Sequence, residues 1–119
     1  MSTIDRINDA LRAAFERVGG EIGDRAYRLG LAGRIRCADG HSISVQGHWG
    51  AYSEPRGTGG PWLSVECGFP MDAGGRYVSP GAALERYADS GNADGDTVYG
   101  YVPIETVAAW IDSHGGIAP

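Results

Sequence analysis

Three histidines and two cysteines are the side chains of this 119-residue chain best suited to bind a transition metal: His41, His48, His114, Cys37 and Cys67. Protein zinc sites are usually marked by closely spaced ligands, such as a Cys-x-x-Cys pair or an HExxH helix. Neither spacing occurs here. In a regular strand His41 and His48 would face opposite sides, and His114 ends a predicted helix. The sequence therefore predicts no metal site and no cofactor.

The sequence also lacks the common catalytic and phosphate-binding motifs. It contains no GxSxG segment, and its glycine-rich segments at 58–61 and 73–76 do not match a strand–GxxxxGK[ST]–helix phosphate loop. Residues 89–96 have the composition of a calcium loop. Aligned as an EF-hand, however, they place Tyr101 where a bidentate glutamate is required. We expect a protein without catalytic activity.

Arginines at alternating positions mark the first predicted strand: Arg28, Arg34 and Arg36. Arginines beside exposed aromatic rings, here Trp62, Tyr99 or Tyr101, can hold single-stranded nucleic acid on a sheet. Alternatively, the arginines pair with acids such as Glu66 on a solvated face. The net charge of −5 argues against general affinity for nucleic acids or anionic membranes.

The same negative charge suits a protein that docks on a basic partner. Acidic residues in the loop at 89–96 are candidates for steering such docking: Asp89, Asp94 and Asp96. Aromatic residues in or beside loops are candidate anchors for a partner: Trp49, Tyr52, Trp62 and Trp110. We expect exposed rings among them. Trp110 lies off the main apolar stripe of its helix, which makes it a candidate for exposure or for a second contact. The alternative is that these rings fill a small core.

The elements that position these residues follow from the hydrophobic periodicity. Two alternating runs between Tyr27 and Tyr52, joined at residues 38–40, predict a β-hairpin. Further strands are predicted at 62–69 and 97–102, with Tyr99 and Tyr101 on one face. Helical spacing predicts helices at 3–18, 80–88 and 103–114.

Together these elements predict an α+β fold. We expect one curved, antiparallel four-stranded sheet with the N-terminal and C-terminal helices packed on one face. Glycines within the strands, Gly30, Gly33 and Gly47, suggest bulges, bends or close approaches.

Length and composition fit a single domain over residues 1–119, with 42% hydrophobic residues. No signal peptide or apolar stretch of about 20 residues is evident, so we expect a cytoplasmic protein that does not bind membranes. Cys37 and Cys67 are expected to be small buried side chains; the alternative is a disulfide between them if their strands are neighbours.

The C-terminal segment VYGYVPIETVAAWIDSHGGI resembles the ends of small proteins encoded by phages and mobile elements. The chain as a whole is short, acidic and free of catalytic motifs, and in this it is similar to anti-CRISPR proteins. The resemblance implies docking on a nuclease complex so that nucleic acid or a subunit cannot bind. Bacterial immunity proteins that neutralise toxins fit the same profile. We therefore expect an inhibitor or regulator of a larger protein or nucleoprotein, with a nucleic-acid-binding module as the alternative.

Overall fold

The architecture is a four-stranded antiparallel sheet with helices at both ends of the chain. The computed structural model describes residues 1–17, 34–48, 50–56, 59–89 and 98–119. The strands are β1 (Arg34–Arg36), β2 (Ser42–Gln46), β3 (Ser64–Met71) and β4 (Val98–Pro103), and they are ordered β1-β2-β3-β4. The helices within the described residues are α1 (Thr3–Arg17), α2 (Ala82–Glu85) and α3 (Ile104–Ser113). This confirms the predicted α+β fold.

Helix α1 begins where its capping residue predicts. The Ser2 hydroxyl oxygen accepts a hydrogen bond from the backbone N–H of Asp5 at 3.1 Å, which satisfies one free donor of the first turn. The apolar stripe then buries Ile7 and Leu11 completely or nearly so. The Thr3 hydroxyl contacts the Asp112 carboxylate at 2.5 Å, which joins α1 to α3.

Helix α3 follows β4 without a loop. Pro103 has φ −53° and ψ 136°, so it ends the strand while presetting the turn into the helix. The helix ends before Gly115 and Gly116, which both have positive φ angles. The residues after α3 then run beside β1: Ala118 donates a backbone hydrogen bond to Arg36 O at 2.8 Å, and Cys37 bridges Ile117.

Buried side chains of α1, α3 and the sheet form one hydrophobic core, with Ile43, Val45 and Val65 fully inaccessible. Cys37 and Cys67 are buried in it as free thiols, which confirms the expectation of small buried side chains. Burial raises the pKa of the Cys37 thiol to about 11, with a further contribution from Asp39. Among the described residues no helix is long and apolar enough to span a membrane.

Two β-bulges bend the sheet. Val65 pairs with Val102 and Cys67 with Tyr99, so one residue of β3 faces two residues of β4. A second bulge places Phe69 and Pro70 of β3 opposite a single residue of β2. Each bulge contains a non-glycine residue in the left-handed region, Tyr101 at φ 52° and Phe69 at φ 53°.

These bulges explain one wrong prediction. Tyr99 and Tyr101 do not share a face, since Tyr99 is inaccessible and Tyr101 is 43% exposed. The extra residue in β4 shifts the alternation by one position. Gly30 and Gly33 lie outside the described residues. Gly47 marks a close approach, because a Cβ there would lie 2.5 Å from Trp62 Nε1.

Element boundaries also differ from the predictions. Of the first predicted strand, only Arg34–Arg36 is a described strand, and residues 18–33 lie outside the described part of the chain. Strand β3 begins at Ser64, two residues later than predicted, which leaves Leu63 exposed. The predicted helix at 80–88 is reduced to the four residues of α2.

Candidate functional site

Two exposed aromatic side chains lie beside the β3–β4 bulge. Tyr52 is 42% exposed and Tyr101 43%. The ring centroids of Tyr52 and Tyr101 are 5.8 Å apart. We call the surface formed by Tyr52 and Tyr101, together with the acids Glu66 and Asp89, the tyrosine face.

The backbone holds the two tyrosines in place. The Tyr101 N–H donates to Tyr52 O at 2.9 Å. Tyr52 packs over Gly100, where a Cβ would lie 3.1 Å from Tyr52 Cβ, so a larger residue there would push the ring away. The β3–β4 bulge also sets the direction of the Tyr101 side chain, because bulges characteristically change the direction of a side chain.

Two acids supply the charge of this surface. The Glu66 carboxylate accepts the backbone N–H of Tyr52, which links the acid to the aromatic pair. Burial raises the pKa of Glu66 and the negative charge of Asp89 raises it further, whereas the hydrogen bond from Tyr52 and then the charge of Arg56 partly oppose this rise. A carboxylate in this setting gains stability from a cation supplied from outside.

The predicted partner-binding residues have different outcomes. Tyr52 and Asp89 are exposed, as expected. Trp62 and Trp110 are only 1% and 8% exposed, so the alternative that such rings fill the core holds for both. The remaining three lie outside the described residues: Trp49, Asp94 and Asp96.

Trp62 is buried because the chain leaves room for its indole on both sides. A Cβ at Gly47 or at Gly60 would lie 2.5 Å from the Trp62 ring. Phe15 of α1 meets the ring edge-to-face, with centroids 6.5 Å apart, and Asn8 Oδ1 accepts the Trp62 backbone N–H at 2.6 Å. Trp62 therefore packs against α1 and is not exposed to a partner.

The two described arginines of the predicted nucleic-acid site differ. Arg34 Nε donates to Ser42 Oγ at 3.0 Å, and its Nη2 donates to Ser42 O at 3.2 Å and to Phe69 O. Burial, followed by the charge of Arg36, lowers the pKa of Arg34. Arg36 is exposed, whereas Arg28 lies outside the described residues.

A cleft brings both arginines together with a third from α1. Arg6, Arg34 and Arg36 line it beside residues 117–119, and its volume is about 390 Å³. Glu66, considered above as a partner for these arginines, instead interacts with Asp89 and Arg56.

A second polar cluster joins the β1–β2 turn to the end of α3. Asp39 Oδ1 lies 3.1 Å from His41 Nδ1, and Asp39 Oδ2 lies 2.7 Å from His114 Nδ1. The two imidazole rings stack with centroids 3.9 Å apart, and Trp110 lies 4.5 Å from the His114 ring. We call Asp39, His41 and His114 the histidine cluster.

The histidine cluster is held by backbone contacts. The His41 N–H donates to Asp39 Oδ1 at 2.9 Å, and the Asp39 N–H donates to His114 O at 3.2 Å. The pKa of Asp39 is lowered, chiefly because the His41 backbone N–H donates to it; desolvation opposes this, and the side chains of both histidines lower the pKa further. At neutral pH the carboxylate is therefore ionised.

The sequence does not predict this cluster. The spacing of the histidines, relative to one another and to the cysteines, matches no metal motif. His48 lies elsewhere: it is 1% exposed and its Nδ1 accepts the Gly50 N–H at 3.0 Å. The only local signal was Asp39 two residues before His41 in a turn, since the contact with His114 is made by the fold.

Comparisons with known proteins find no relative: no family model matches the chain, and no curated protein or solved structure matches it. The similarity in type to anti-CRISPR proteins stays a prediction. Function must be inferred from the chain's own surfaces.

Proposed function

We propose that this chain is a binding protein that docks through its tyrosine face on a basic surface of a larger protein, and so inhibits or regulates that partner. The observation that carries the proposal is the left-handed backbone of Tyr101, whose ring stands exposed beside Tyr52. Nuclease complexes of the kind bound by anti-CRISPR proteins, and bacterial toxins, are two classes of partner that would fit.

The left-handed backbone of Tyr101 lowers the stability of the fold and is not explained by packing. A left-handed backbone costs a non-glycine residue about 1–2 kcal/mol, whereas glycine adopts it freely. The Tyr101 ring is 43% exposed, so its burial contributes only part of the stabilisation that a fully buried ring would give. Backbone strain of this kind is concentrated at functional sites. Tyrosine is also among the residues that most often dominate binding energy at protein interfaces.

The charge of the surface indicates a basic partner. Glu66 and Asp89 lie close enough for the second to raise the pKa of the first. An arginine or lysine of a partner would relieve that repulsion, and the tyrosine rings offer faces for cation–π contact. The net charge of −5 would speed association with a basic surface at low ionic strength.

The test is site-specific photo-crosslinking. A benzoylphenylalanine introduced at position 52 or 101 of the tagged protein is irradiated in host lysate, with and without nuclease, and crosslinked proteins are identified by mass spectrometry. Tyr77 is the matched control, because it is 52% exposed and packs near Phe69 at the other bulge.

We expect one protein to crosslink from positions 52 and 101 but not from 77, with or without nuclease. Against that purified protein, Tyr52→Ala combined with Tyr101→Gly should weaken binding by about 30-fold or more, as loss of a hot spot does. Tyr77→Ala should leave the affinity unchanged. Equal crosslinking from all three positions, or unchanged affinity of the double variant, would refute the proposal.

The acidic residues are tested separately through kinetics. Replacing Asp89, Asp94 and Asp96 with asparagine should slow association and weaken its dependence on salt. Unchanged association kinetics would remove these acids from the proposed steering role while leaving the tyrosine contacts open to the crosslinking test.

A second candidate function is favoured by the three arginines that line one cleft. The guanidinium groups of Arg6 and Arg36 would contact phosphates of a single-stranded nucleic acid, whereas that of Arg34 is bonded to Ser42 and Phe69. Fluorescence anisotropy with a labelled oligonucleotide tests this: Arg6→Ala combined with Arg36→Ala should abolish binding that the tyrosine variants retain. Recovery of the partner only without nuclease would favour this function over the first.

A further inference from the structure

The histidine cluster contains the donor set of a transition-metal site. One possible ligand atom of each of Asp39, His41 and His114 lies within 4.8 Å of the others. We propose that these three residues bind a divalent late first-row transition metal ion, represented by Zn²⁺, through one carboxylate oxygen and two imidazole nitrogens.

The spacing of the donors suits such an ion. Ligands bound to Zn²⁺ at about 2.0–2.2 Å in a tetrahedron lie ~3.3–3.6 Å from one another. The Asp39 oxygens now lie 3.1 Å and 2.7 Å from the nitrogens of His41 and His114. Two different Asp39 oxygens make these contacts, whereas the ion would take one, and one ligand atom of each residue lies within 4.8 Å of the others. An entering ion replaces the protons of these hydrogen bonds, so the carboxylate and the stacked rings must reorient until one Asp39 oxygen and both nitrogens reach that spacing.

The frame around the cluster is set by the fold rather than by the metal. The Ala38 N–H donates to Gly116 O at 2.9 Å and the Asp39 N–H donates to His114 O, so the turn and the end of α3 are joined on both sides of the cluster. Trp110 lies against both imidazoles, with centroids 6.2 Å from the His41 ring and 4.5 Å from the His114 ring. A metal ion therefore meets ligands that are already gathered.

The chemistry selects the class of ion. Two imidazoles and one carboxylate suit Zn²⁺ and its neighbours, whereas Ca²⁺ and Mg²⁺ prefer oxygen ligands alone. Three protein ligands leave a position for water or another donor. The site can be reached from solvent, since the side chains of His41, His114 and Asp39 are 25%, 23% and 42% exposed. Asp72 adds negative charge nearby; its pKa is lowered chiefly by the Arg76 backbone N–H and least by the charge of His41.

The experiment is calorimetric titration of Zn²⁺ into the chelator-treated full chain, repeated for Asp39→Asn, His41→Asn and His114→Asn. Glu105→Gln is the matched control, because Glu105 is an exposed acid at the other end of α3. We expect one ion per chain. Each ligand variant should lose more than the ~10-fold in affinity that removal of an outer-shell partner costs, and the control should lose none.

A spectroscopic readout separates a built site from loose binding to two surface histidines. Co²⁺ in the cluster should give the visible absorption of a low-coordinate site, and Zn²⁺ should shift the ring ¹⁵N resonances of His41 and His114 but not those of His48. If Asp39→Asn fails to fold, His114→Asn and these resonances decide the question. Absence of saturable binding, or equal affinity in the wild type and His114→Asn, would overturn the proposal. This outcome does not depend on whether the tyrosine face binds a partner.

Discussion

Arg34 and Arg36 provide the sharpest test of whether the arginines of β1 serve the fold or a ligand. They lie two residues apart on one strand and have the same chemistry. Arg34 donates hydrogen bonds to Ser42 and to the carbonyl of Phe69, where the β2–β3 bulge interrupts the ladder. Arg36 is exposed. Replacing each with alanine should therefore have very different effects on stability.

The expected difference follows from the bonds. A hydrogen bond to a charged group contributes about 1.5–3 kcal/mol when both partners are removed from water. Arg34 is only partly buried, so about 1 kcal/mol for each of its three contacts is the appropriate scale, which gives a loss of ~2–3 kcal/mol for Arg34→Ala. Arg36→Ala should stay within about 0.5 kcal/mol of the wild type. Arg34→Lys should lie between them, because an ammonium group lacks the planar fork.

Thermal and urea unfolding measure these differences. The entropy of unfolding is about 2.1 cal/mol/K per residue, which gives ~0.25 kcal/mol/K for this domain. A loss of ~2–3 kcal/mol in Arg34→Ala should therefore lower the Tm by ~8–12 °C. Arg36→Ala should change it by ~2 °C or less. Equal Tm values for the two alanine variants would refute the structural role given to Arg34. Titration of the same proteins with a single-stranded oligonucleotide tests whether Arg36 binds nucleic acid. Because Arg36→Ala should keep the stability of the wild type, a loss of binding in this variant would not result from unfolding.

Two further predictions concern buried residues. Gly47→Ala should destabilise the protein by about 1–3 kcal/mol, because its Cβ would lie 2.5 Å from Trp62 Nε1. In the same urea titration Gly59→Ala should change stability by about 0.5 kcal/mol or less, since its Cβ would make only ordinary contacts at 3.6 Å, and equal losses would contradict this account. Burial, and then the charge of Arg56, lowers the pKa of His48 below its ordinary value of 6.5. Near and below that pH the unfolded chain therefore binds a proton that the folded chain does not. The free energy of unfolding should thus decrease as the pH falls. Urea midpoints measured across this range should fall less with acid in His48→Gln than in the wild type, and parallel curves would show that His48 is not the group responsible.

The sequence predicted the architecture well because local signals agreed with the fold. Ser2, Pro103 and the glycines after α3 act at the helix ends as their chemistry predicts. The alternation of β2 also held for Ile43 and Val45, which are fully buried. The alternation failed at the bulges, because nothing in the local sequence indicates that Phe69 or Tyr101 adopts a left-handed backbone. Glycine would have been the expected residue at such positions.

The site residues were harder to predict, since their surroundings come from distant parts of the chain. Trp62 lies among loop residues, yet Phe15 and two glycines enclose it. Asp39 and His114 are 75 residues apart and meet only because the end of α3 packs beside the first turn of the sheet. Composition and spacing could suggest that aromatic and acidic side chains matter, but they could not show which rings remain exposed.

The segments that run beside the outer strands bear on how the protein behaves at high concentration. At one edge of the sheet Ala118 donates to Arg36 O, and at the other Ala88 bridges Tyr99 while Asp89 donates to Val98 O. Unpaired strand edges are templates for fibrils and for the capture of extended peptides. A chain that extends the described sheet at these positions would first have to displace these hydrogen bonds. Edge-to-edge association of crowded chains is therefore disfavoured at Arg36, Val98 and Tyr99.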